Sequence, residues 1–317
     1  MTVPVAVVDL GTITTRLLVV DANGVPVVRE QPVTRMGADL PATGRIGAGG
    51  LERVEAALEQ HRTTIRSHGV TDVWAIATSA ARDAADRSDL AELVDRTLGV
   101  PLDIIDGAAE GRLAFAGATA ARAAADPTAL FVVIDIGGGS TEFTYGNASD
   151  GVLGVYSIDV GASRVTSTYL ESDPPHAAEL SAALSVVQLH LDDVVREMPS
   201  LLAAISSGTV VGVGGTITTV GAVEIGLLDD DRSALEWFPL SVEAVEDVFR
   251  TLATEPRDAR RYNPGLPENR VDLIVGGCCV LVETMRHLGI GEIVVTEFDL
   301  LDGAAAALRE RLGASTW

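Results

Sequence analysis

The first thirty residues alternate apolar and polar positions with a period of two, which is typical of half-buried strands. Three such runs cover residues 5–9, 15–20 and 26–30, and Asn23-Gly24 stands at a position suited to a hairpin turn. The pattern predicts an antiparallel meander of three strands.

A helical period then alternates with short apolar runs. It predicts helices over 51–66, 90–98 and 110–122, with strands over 73–77 and 102–105 between them. This alternation is typical of an α/β domain.

The second half of the chain repeats the order of the first. Strands predicted over 131–135, 142–145 and 151–157 again form a meander, whose first strand again ends in Asp-x-Gly. Further predicted elements are helices over 177–197, 242–252, 272–288 and 299–312 and strands over 209–213 and 292–296. The repeat predicts a duplicated pair of α/β domains.

The domain boundary is predicted from composition. The Ala-rich segment that ends at Asp126-Pro127 is interpreted as a linker, so that residues 1–125 form the first domain and 126–298 the second. The last helix, within 299–317, is expected to return to the first domain.

Length and charge limit the classes of function. A chain of 317 residues, 47% of them hydrophobic, is long enough for two domains with buried cores. The formal charge of −22 argues against general nucleic-acid binding, which depends on many contacts between basic side chains and phosphates. All 23 basic residues are arginine, so the lysine of a P-loop has no candidate.

Membrane and secretion signals are not visible in the sequence. The apolar runs are too short to span a membrane, and the N-terminus passes directly into a strand pattern. We therefore expect a cytoplasmic protein. Cys278 and Cys279 are adjacent in an apolar helical stretch, which favours core residues over a disulfide framework or a metal site.

Two acidic, glycine-rich turns carry the candidate chemistry. Asp9-Leu10-Gly11-Thr12 and the string DIGGGSTE at 135–142 each end an apolar strand. Glycine lets the backbone approach phosphate oxygens, and amide and hydroxyl groups donate hydrogen bonds to them. A carboxylate beside a phosphate requires a cation between the two anions, so the turns imply Mg²⁺. One such turn is typical of a tight hairpin, whereas its recurrence in a repeat favours phosphate binding.

A third glycine-rich turn, Val213-Gly214-Gly215-Thr216, opens a predicted helix. The N-terminal amides of a helix are suited to hold an anion. Taken alone, this turn is equally typical of a helix start that permits close packing.

Together these strings resemble the signatures of a known family. Besides the three turns they include Ala-Thr-Ser-Ala-Ala-Arg at 77–82 and Gly-Ala-Ala-Glu-Gly-Arg-Leu at 107–113, with further segments at 161–164, 270–277 and 299–303. In this order they resemble the exopolyphosphatase/guanosine pentaphosphate phosphohydrolase family of the actin-like phosphotransferase superfamily. The resemblance covers nearly the whole chain and is closest to the short, two-domain form.

The resemblance implies duplicated actin-like (ribonuclease H-like) domains with an active-site cleft between them. It implies that Glu110 is the general base for an attacking water, that Asp135 and Glu142 hold Mg²⁺, and that the protein is a homodimer. The residues expected to bind phosphate are Asp9, Gly11, Thr12, Arg82, Gly137, Gly138, Gly139, Ser140, Thr141, Gly214, Gly215 and Thr216. Several of the other arginines at matching positions, Arg16, Arg112, Arg164 and Arg270, are expected to form ion pairs between elements.

The chain departs from the family pattern in the first turn, where Ile13 replaces an asparagine. Isoleucine cannot donate to phosphate, and its branched side chain disfavours a left-handed turn. We therefore expect weaker phosphate binding or a rebuilt loop. The run 107–110 also has alanine where many members carry a further glutamate, and Asp86 stands where asparagine is usual.

The leading hypothesis is an Mg²⁺-dependent exopolyphosphatase that releases terminal orthophosphate from inorganic polyphosphate. The same chemistry permits hydrolysis of guanosine pentaphosphate, and the motifs do not separate the two. A non-catalytic sensor of polyphosphate or a guanosine alarmone is favoured by Ile13 and opposed by the retained acidic residues. A sugar or acetate kinase is opposed by Glu110-Gly111-Arg112, which favours water as the acceptor.

The negative charge also bears on the length of the substrate. A protein of charge −22 repels a long polyanion, with screening over roughly 8 Å at physiological salt. A long polyphosphate would require a continuous arginine-lined channel, and two domains offer only a short one. We therefore predict a preference for short chains.

Overall fold

The strands form two separate sheets, each covered by its own helices. The structure, a computed structural model, describes residues 3–228 and 232–314. The strands are β1 (Val5–Leu10), β2 (Thr15–Val20), β3 (Pro26–Glu30), β4 (Asp72–Ala77), β5 (Leu102–Ile104), β6 (Phe131–Ile136), β7 (Thr141–Asn147), β8 (Gly151–Ile158), β9 (Thr209–Val213), β10 (Phe238–Ser241) and β11 (Glu292–Val295). The helices are α1 (Leu40–Thr43), α2 (Gly47–Ser67), α3 (Ser79–Asp83), α4 (Arg87–Leu98), α5 (Gly107–Ala125), α6 (Ala162–Tyr169), α7 (Ala177–Glu197), α8 (Leu201–Ser207), α9 (Gly214–Glu224), α10 (Val242–Thr254), α11 (Arg257–Arg260), α12 (Ile274–Leu288) and α13 (Leu300–Ala314).

Backbone packing divides the chain into two compact units. The first unit comprises Met1–Gly117 and Leu300–Trp317, and the second comprises Ala118–Asp299. The division falls within α5, because the Ala-rich segment interpreted as a linker is helical as far as Ala125. Alanine has the highest helix propensity, and the helix ends just before Pro127. The predicted domain bounds stay a prediction.

The sheet of the first unit has the order β3-β2-β1-β4-β5. As predicted, the first three strands form an antiparallel meander, and β4 and β5 run parallel to β1. Apolar side chains of the sheet, including Val8 and Leu17, pack in one buried cluster with Val54 and Leu58 of α2. The carboxyl ends of β1, β4 and β5 therefore lie at one edge of this sheet.

The last helix, α13, packs against β1 and β2 of the first unit. An ion pair of 2.6 Å joins Arg29 on β3 to Asp302, and Arg309 donates to the carbonyl of Ala22 at 3.1 Å. These contacts fix the C-terminal helix to the meander.

The sheet of the second unit has the order β10-β11-β9-β6-β7-β8. It repeats the first arrangement, since β6, β7 and β8 form an antiparallel meander and β9 lies parallel to β6. β11 extends the sheet in parallel beside β9, and β10 closes this edge in antiparallel pairing. The predicted duplication of a meander with a parallel strand is confirmed.

The long helix α12 lies in the core of the second unit. Cys278 and Cys279 are buried free thiols on this helix, as predicted, and burial raises the pKa of both. Among the residues that the structure describes, no helix is long and apolar enough to cross a membrane.

Candidate functional site

The first turn (residues 9–16) joins β1 to β2. Asp9 and Arg16 are opposite each other in the strand register, and Arg16 donates from Nε and Nη2 to Oδ2 of Asp9 at 2.9 and 2.7 Å. Asp9 is only 3% exposed. Its carboxylate, predicted to face phosphate, is thus neutralised by a guanidinium in an ion pair between two strands.

The backbone of the first turn is held from inside the turn and from a neighbouring segment. The amide of Gly11 donates to the carbonyl of Thr14 at 2.9 Å, while the carbonyl of Ile13 accepts from the amides of Thr34 and Arg35 at 3.0 and 2.8 Å. Ile13 is buried, and its φ is not positive. Gly11 and Thr12 remain partly exposed. Because Ile13 is buried, the first turn has no amide side chain at this position with which to contact a ligand, and the accessible part of the turn is at Gly11 and Thr12.

Glu110 and Arg82 meet near the carboxyl edge of the same sheet. Arg82 lies on α3, directly after β4, and Glu110 lies in the first turn of α5, after β5. Nη1 of Arg82 donates to Oε2 of Glu110 at 2.7 Å and to the carbonyl of Ile105 at 3.0 Å. In open α/β sheets this edge is the usual position of a ligand site.

The Glu110 carboxyl is buried, and its side chain is 11% exposed. Burial raises its pKa from 4.5 to about 7, because the charged form is poorly solvated there. Arg82 and Arg16 act in the opposite direction, and the negative charge of Asp9 adds to the increase. Glu110 is therefore poised to gain or lose a proton near neutral pH.

Arg82 is anchored by a single nitrogen. Its Nε and Nη2 groups make no hydrogen bond to the part of the chain that the structure describes, and the side chain is 22% exposed. The planar fork of a guanidinium matches two oxygens of a phosphate. Arg82 can thus hold Glu110 through one nitrogen while its other donors face a ligand.

Asp86, which stands where the family usually has asparagine, supports the start of α2. Its two carboxylate oxygens accept from the amides of Ile46 and Gly47 at 2.9 and 3.0 Å. Burial alone would raise the pKa of Asp86, but backbone amides, including these two, and the positive charge of Arg45 together outweigh it and lower the pKa. Asp86 is therefore a structural anion.

The second turn (residues 135–142) joins β6 to β7. Asp135 and Glu142 are opposite each other in the strand register, so their side chains project from the same face of the sheet. Glu142 is 1% exposed and accepts from the hydroxyl of Ser157 at 2.8 Å. The amide of Gly137 donates to the carbonyl of Ser140 at 3.0 Å.

The paired acids of the second turn match one mode of magnesium binding. Mg²⁺ in phosphate-processing sites takes one or two carboxylates and completes its shell with substrate oxygens and water. Across the described residues, no group of three or more His, Cys, Asp or Glu side chains is arranged to hold a metal. Asp135 and Glu142 therefore fit a cation that is shared with substrate, and do not form a complete protein cage.

Helix α6 braces the glycine run of the second turn. The amides of Ala162 and Ser163 donate to the carbonyls of Gly137 and Gly138 at 3.0 and 2.8 Å, and Nε of Arg164 donates to that of Gly139 at 3.0 Å. A Cβ atom at Gly161 would lie 2.6 Å from the carbonyl carbon of Gly138. The role of α6 was not predicted, although the string Gly161-Ala-Ser-Arg164 belongs to the family resemblance.

Several hydroxyl groups predicted to bind phosphate are engaged or buried in the second unit. Thr141 is fully buried and donates to the carbonyl of Val160 at 2.6 Å. Thr216 is 3% exposed and packs against Gly277 of α12. Ser140 and Gly139 are also buried, whereas Gly137 and Gly138 are partly exposed. The accessible groups of this turn are therefore mainly backbone.

The third turn, at the start of α9, lies beside the second. Gly214 has a φ of +86°, and a Cβ atom there would lie 2.5 Å from Oδ1 of Asp135. The guanidinium of Arg270 lies against Gly215. Asp135 and the amino end of α9 are thus neighbours, and Arg270 adds a positive charge that the sequence analysis did not assign to ligand binding.

The structure therefore gathers the predicted residues into two sets. Asp9, Gly11, Thr12, Arg82 and Glu110 belong to the first unit, and the residues from Gly137 to Gly139 and from Gly214 to Thr216 belong to the second with Asp135 and Glu142. Each set lies at the carboxyl edge of a duplicated sheet. Of the other arginines, Arg112 is exposed on α5.

Known proteins match the chain over almost its entire length. The pattern of the Ppx/GppA phosphatase family matches residues 19–308. Exopolyphosphatase 2 of Mycobacterium tuberculosis is 35% identical over 96% of this chain and 98% of its own length.

Solved structures agree with these sequence matches. A crystal structure described as an exopolyphosphatase-like protein superimposes with a TM-score of 0.91 at 31% identity, covering 98% of this chain and 100% of its own. The Ppx/GppA member of Aquifex aeolicus superimposes with a TM-score of 0.77 at 25% identity, covering 99% of both chains. The chain therefore belongs to the Ppx/GppA phosphatase family, a family of hydrolases with the actin-like fold.

Proposed function

We propose that this chain is an exopolyphosphatase, which hydrolyses the terminal phosphoanhydride bond of inorganic polyphosphate and releases orthophosphate. The observation that carries the proposal is the pair of Glu110 and Arg82. A buried carboxylate with a pKa of about 7 accepts at 2.7 Å from a guanidinium whose Nε and Nη2 groups make no hydrogen bond to the described residues. The similarity to Exopolyphosphatase 2 supports polyphosphate as the substrate class.

In this proposal Glu110 is the general base. Its ionised carboxylate accepts a proton from water, the water oxygen attacks the terminal phosphorus, and the bridging P–O bond breaks to release the shortened chain. A base is most effective when its pKa lies near the working pH, and such a group contributes typically 10²–10⁴-fold. The larger part of phosphoryl transfer rests on positioning and charge neutralisation, which we assign to Arg82 and the backbone of the turns.

Asp135 and Glu142 would hold Mg²⁺. When bound, the ion supplies positive charge to phosphate oxygens beside two carboxylates that would otherwise repel them. The amides of the partly exposed residues Gly138, Gly214 and Gly215 would donate to the same anion, and those of Gly214 and Gly215 lie at a helix amino end, which favours negative charge.

The test is orthophosphate release from polyphosphates of defined length with Mg²⁺, comparing the native protein with Glu110→Gln. We expect the variant to lose at least about 100-fold in rate. Glu92→Gln is the matched control, since it removes an exposed acid on α4 of the same unit.

Short polyphosphate chains are expected to be hydrolysed faster than long ones. A rate that rises steadily with chain length would contradict this preference but would leave the proposed hydrolysis standing.

A stability measurement separates lost catalysis from lost folding. The folded state raises the pKa of Glu110 above its unfolded value of 4.5, so its contribution to stability is present below pH 4.5 and is lost as the pH rises through about 7. Glu110→Gln should therefore be at least as stable as the native protein at pH 8.

If neither protein releases orthophosphate and both still bind polyphosphate, the result would instead indicate a non-catalytic sensor.

A further inference from the structure

The strand register of the second sheet places four residues in one row across β9, β6, β7 and β8. Asp135 of β6 pairs with Val213 of β9 and with Glu142 of β7. Glu142 in turn pairs with Ser157 of β8. Residues paired directly across neighbouring strands project their side chains from the same face of a sheet. Ser157 therefore lies beside Glu142, on the face that carries the two acids proposed to hold Mg²⁺.

Ser157 makes a direct contact with the carboxylate of Glu142. Its hydroxyl donates to Oε1 of Glu142 at 2.8 Å, an ordinary length for a hydrogen bond between two oxygens. Serine has a single O–H donor, and this bond uses it. Glu142 is 1% exposed, and a buried carboxylate is costly unless it accepts hydrogen bonds. The bond thus satisfies a buried acid and also restricts the rotation of its carboxylate group.

The bond can serve stability alone, or it can also serve metal binding. A cation held by only two carboxylates depends strongly on the orientation of each, because the protein supplies few other ligands. Carboxylates that bind metals are commonly oriented by hydrogen bonds from neighbouring side chains, and loss of such a neighbour typically costs about 10–100-fold in metal affinity. The donor here lies on a strand hydrogen-bonded to that of Glu142, so its position is fixed by the sheet. This arrangement favours a role in metal binding.

We propose that Ser157 is a positioning residue of the magnesium site, whose hydroxyl holds the Glu142 carboxylate in the orientation that binds the cation. The inference rests on the proposed function, in which Asp135 and Glu142 hold Mg²⁺, and deepens it. Ser157 acts through Glu142 and is not itself assigned as a metal ligand. The metal affinity of the protein therefore depends on a hydroxyl that belongs to the third strand of the meander.

The test compares the native protein with Ser157→Ala, Ser157→Thr and Glu142→Gln. Mn²⁺ prefers oxygen ligands as Mg²⁺ does and is paramagnetic, so its binding is followed by electron paramagnetic resonance in high salt, which screens the surface acids. We expect Ser157→Ala to raise the Kd of Mn²⁺ about tenfold, and Glu142→Gln at least as much. Ser157→Thr keeps a hydroxyl and suits a strand, so its Kd should stay within about threefold of the native value.

Thr144→Val is the matched control. Thr144 lies on β7 two residues from Glu142, so it projects from the same face of the sheet. It is 1% exposed, and its hydroxyl makes no hydrogen bond to the residues that the structure describes. Its Kd for Mn²⁺ should therefore equal that of the native protein. An equal rise in Thr144→Val and Ser157→Ala would overturn the proposal.

Denaturant unfolding separates the two roles of the bond. If Ser157→Ala unfolds at a lower denaturant concentration but binds Mn²⁺ as tightly as the native protein, the hydroxyl serves stability alone and the proposal fails. A native protein that binds no Mn²⁺ also overturns it.

Orthophosphate release from tripolyphosphate tests the proposed function separately. If the native protein releases orthophosphate while Ser157→Ala keeps the native Kd, only the role of Ser157 is lost. If the native protein releases none but binds Mn²⁺ about tenfold more tightly than Ser157→Ala, the hydrolase is contradicted and the positioning role stands.

Discussion

The two acidic turns are close copies of each other in their backbone. In each unit an eight-residue turn joins the first and second strands of a meander, and a glycine amide donates to the carbonyl three residues later. The bond is 2.9 Å for Gly11 and 3.0 Å for Gly137, and a Cβ atom added at either glycine would lie 3.2 Å from that carbonyl. The duplication has therefore kept the geometry of the turn.

The charge at the end of each turn differs between the units. Asp9 is opposite Arg16, whereas Asp135 is opposite Glu142. The residue that faces the first carboxylate in the strand register is basic, and the residue that faces the second is acidic. The repeated backbone thus carries different charges in the two units, because the residue on the facing strand is Arg16 in one turn and Glu142 in the other.

The largest expected difference between the turns is in magnesium dependence. Glu142→Gln should raise the Mg²⁺ concentration for half-maximal activity by at least about tenfold, since one of two acids is removed. Asp9→Asn should leave that concentration unchanged, because Arg16 already neutralises Asp9. Titration of orthophosphate release with Mg²⁺ measures both. Equal shifts in the two variants would show that the turns share one electrostatic role.

A second difference concerns stability. Arg16→Gln leaves the buried Asp9 without its guanidinium, and we expect a loss of roughly 3 kcal/mol in the free energy of unfolding. The value is at the lower end for buried pairs because Arg16 is 19% exposed. Denaturant unfolding measures the loss, and adding Asp9→Asn should restore most of it. A loss that persists in the double variant would place the effect outside the ion pair.

Much of the fold could be predicted because its strands and helices carry strong periodic patterns. The bounds of β2, β3, α7 and β9 agree with those predicted, and the Asp-x-Gly repeat revealed the duplication. Helix α6 was missed because Ala162–Tyr169 is rich in Ser, Thr and Val, which favour helices weakly. Its amides are satisfied by Gly137 and Gly138, a tertiary contact that no local pattern encodes.

The sequence was sufficient to name the candidate residues of the site, but it predicted the contacts and the roles of those residues only in part. The sequence indicated Arg82 and Glu110 separately, but their ion pair joins residues 28 positions apart and depends on the parallel pairing of β4 and β5. Burial of the hydroxyls of Thr141 and Thr216 depends on packing around the second sheet, as does the approach of Arg270 to Gly215. Such contacts follow from the assembled sheets rather than from spacing along the chain.

The most direct test of Glu110 as the general base is its titration, followed in the free enzyme by ¹³C NMR of its carboxyl and by the pH dependence of kcat/KM. We expect one pKa of about 7 in both measurements, with activity rising as the pH increases through that value. Arg82→Gln should move both values upward, since Arg82 lowers the pKa of Glu110. A carboxyl that titrates near 4.5, or an acid limb that does not move with it, would contradict the assignment of Glu110 as the base.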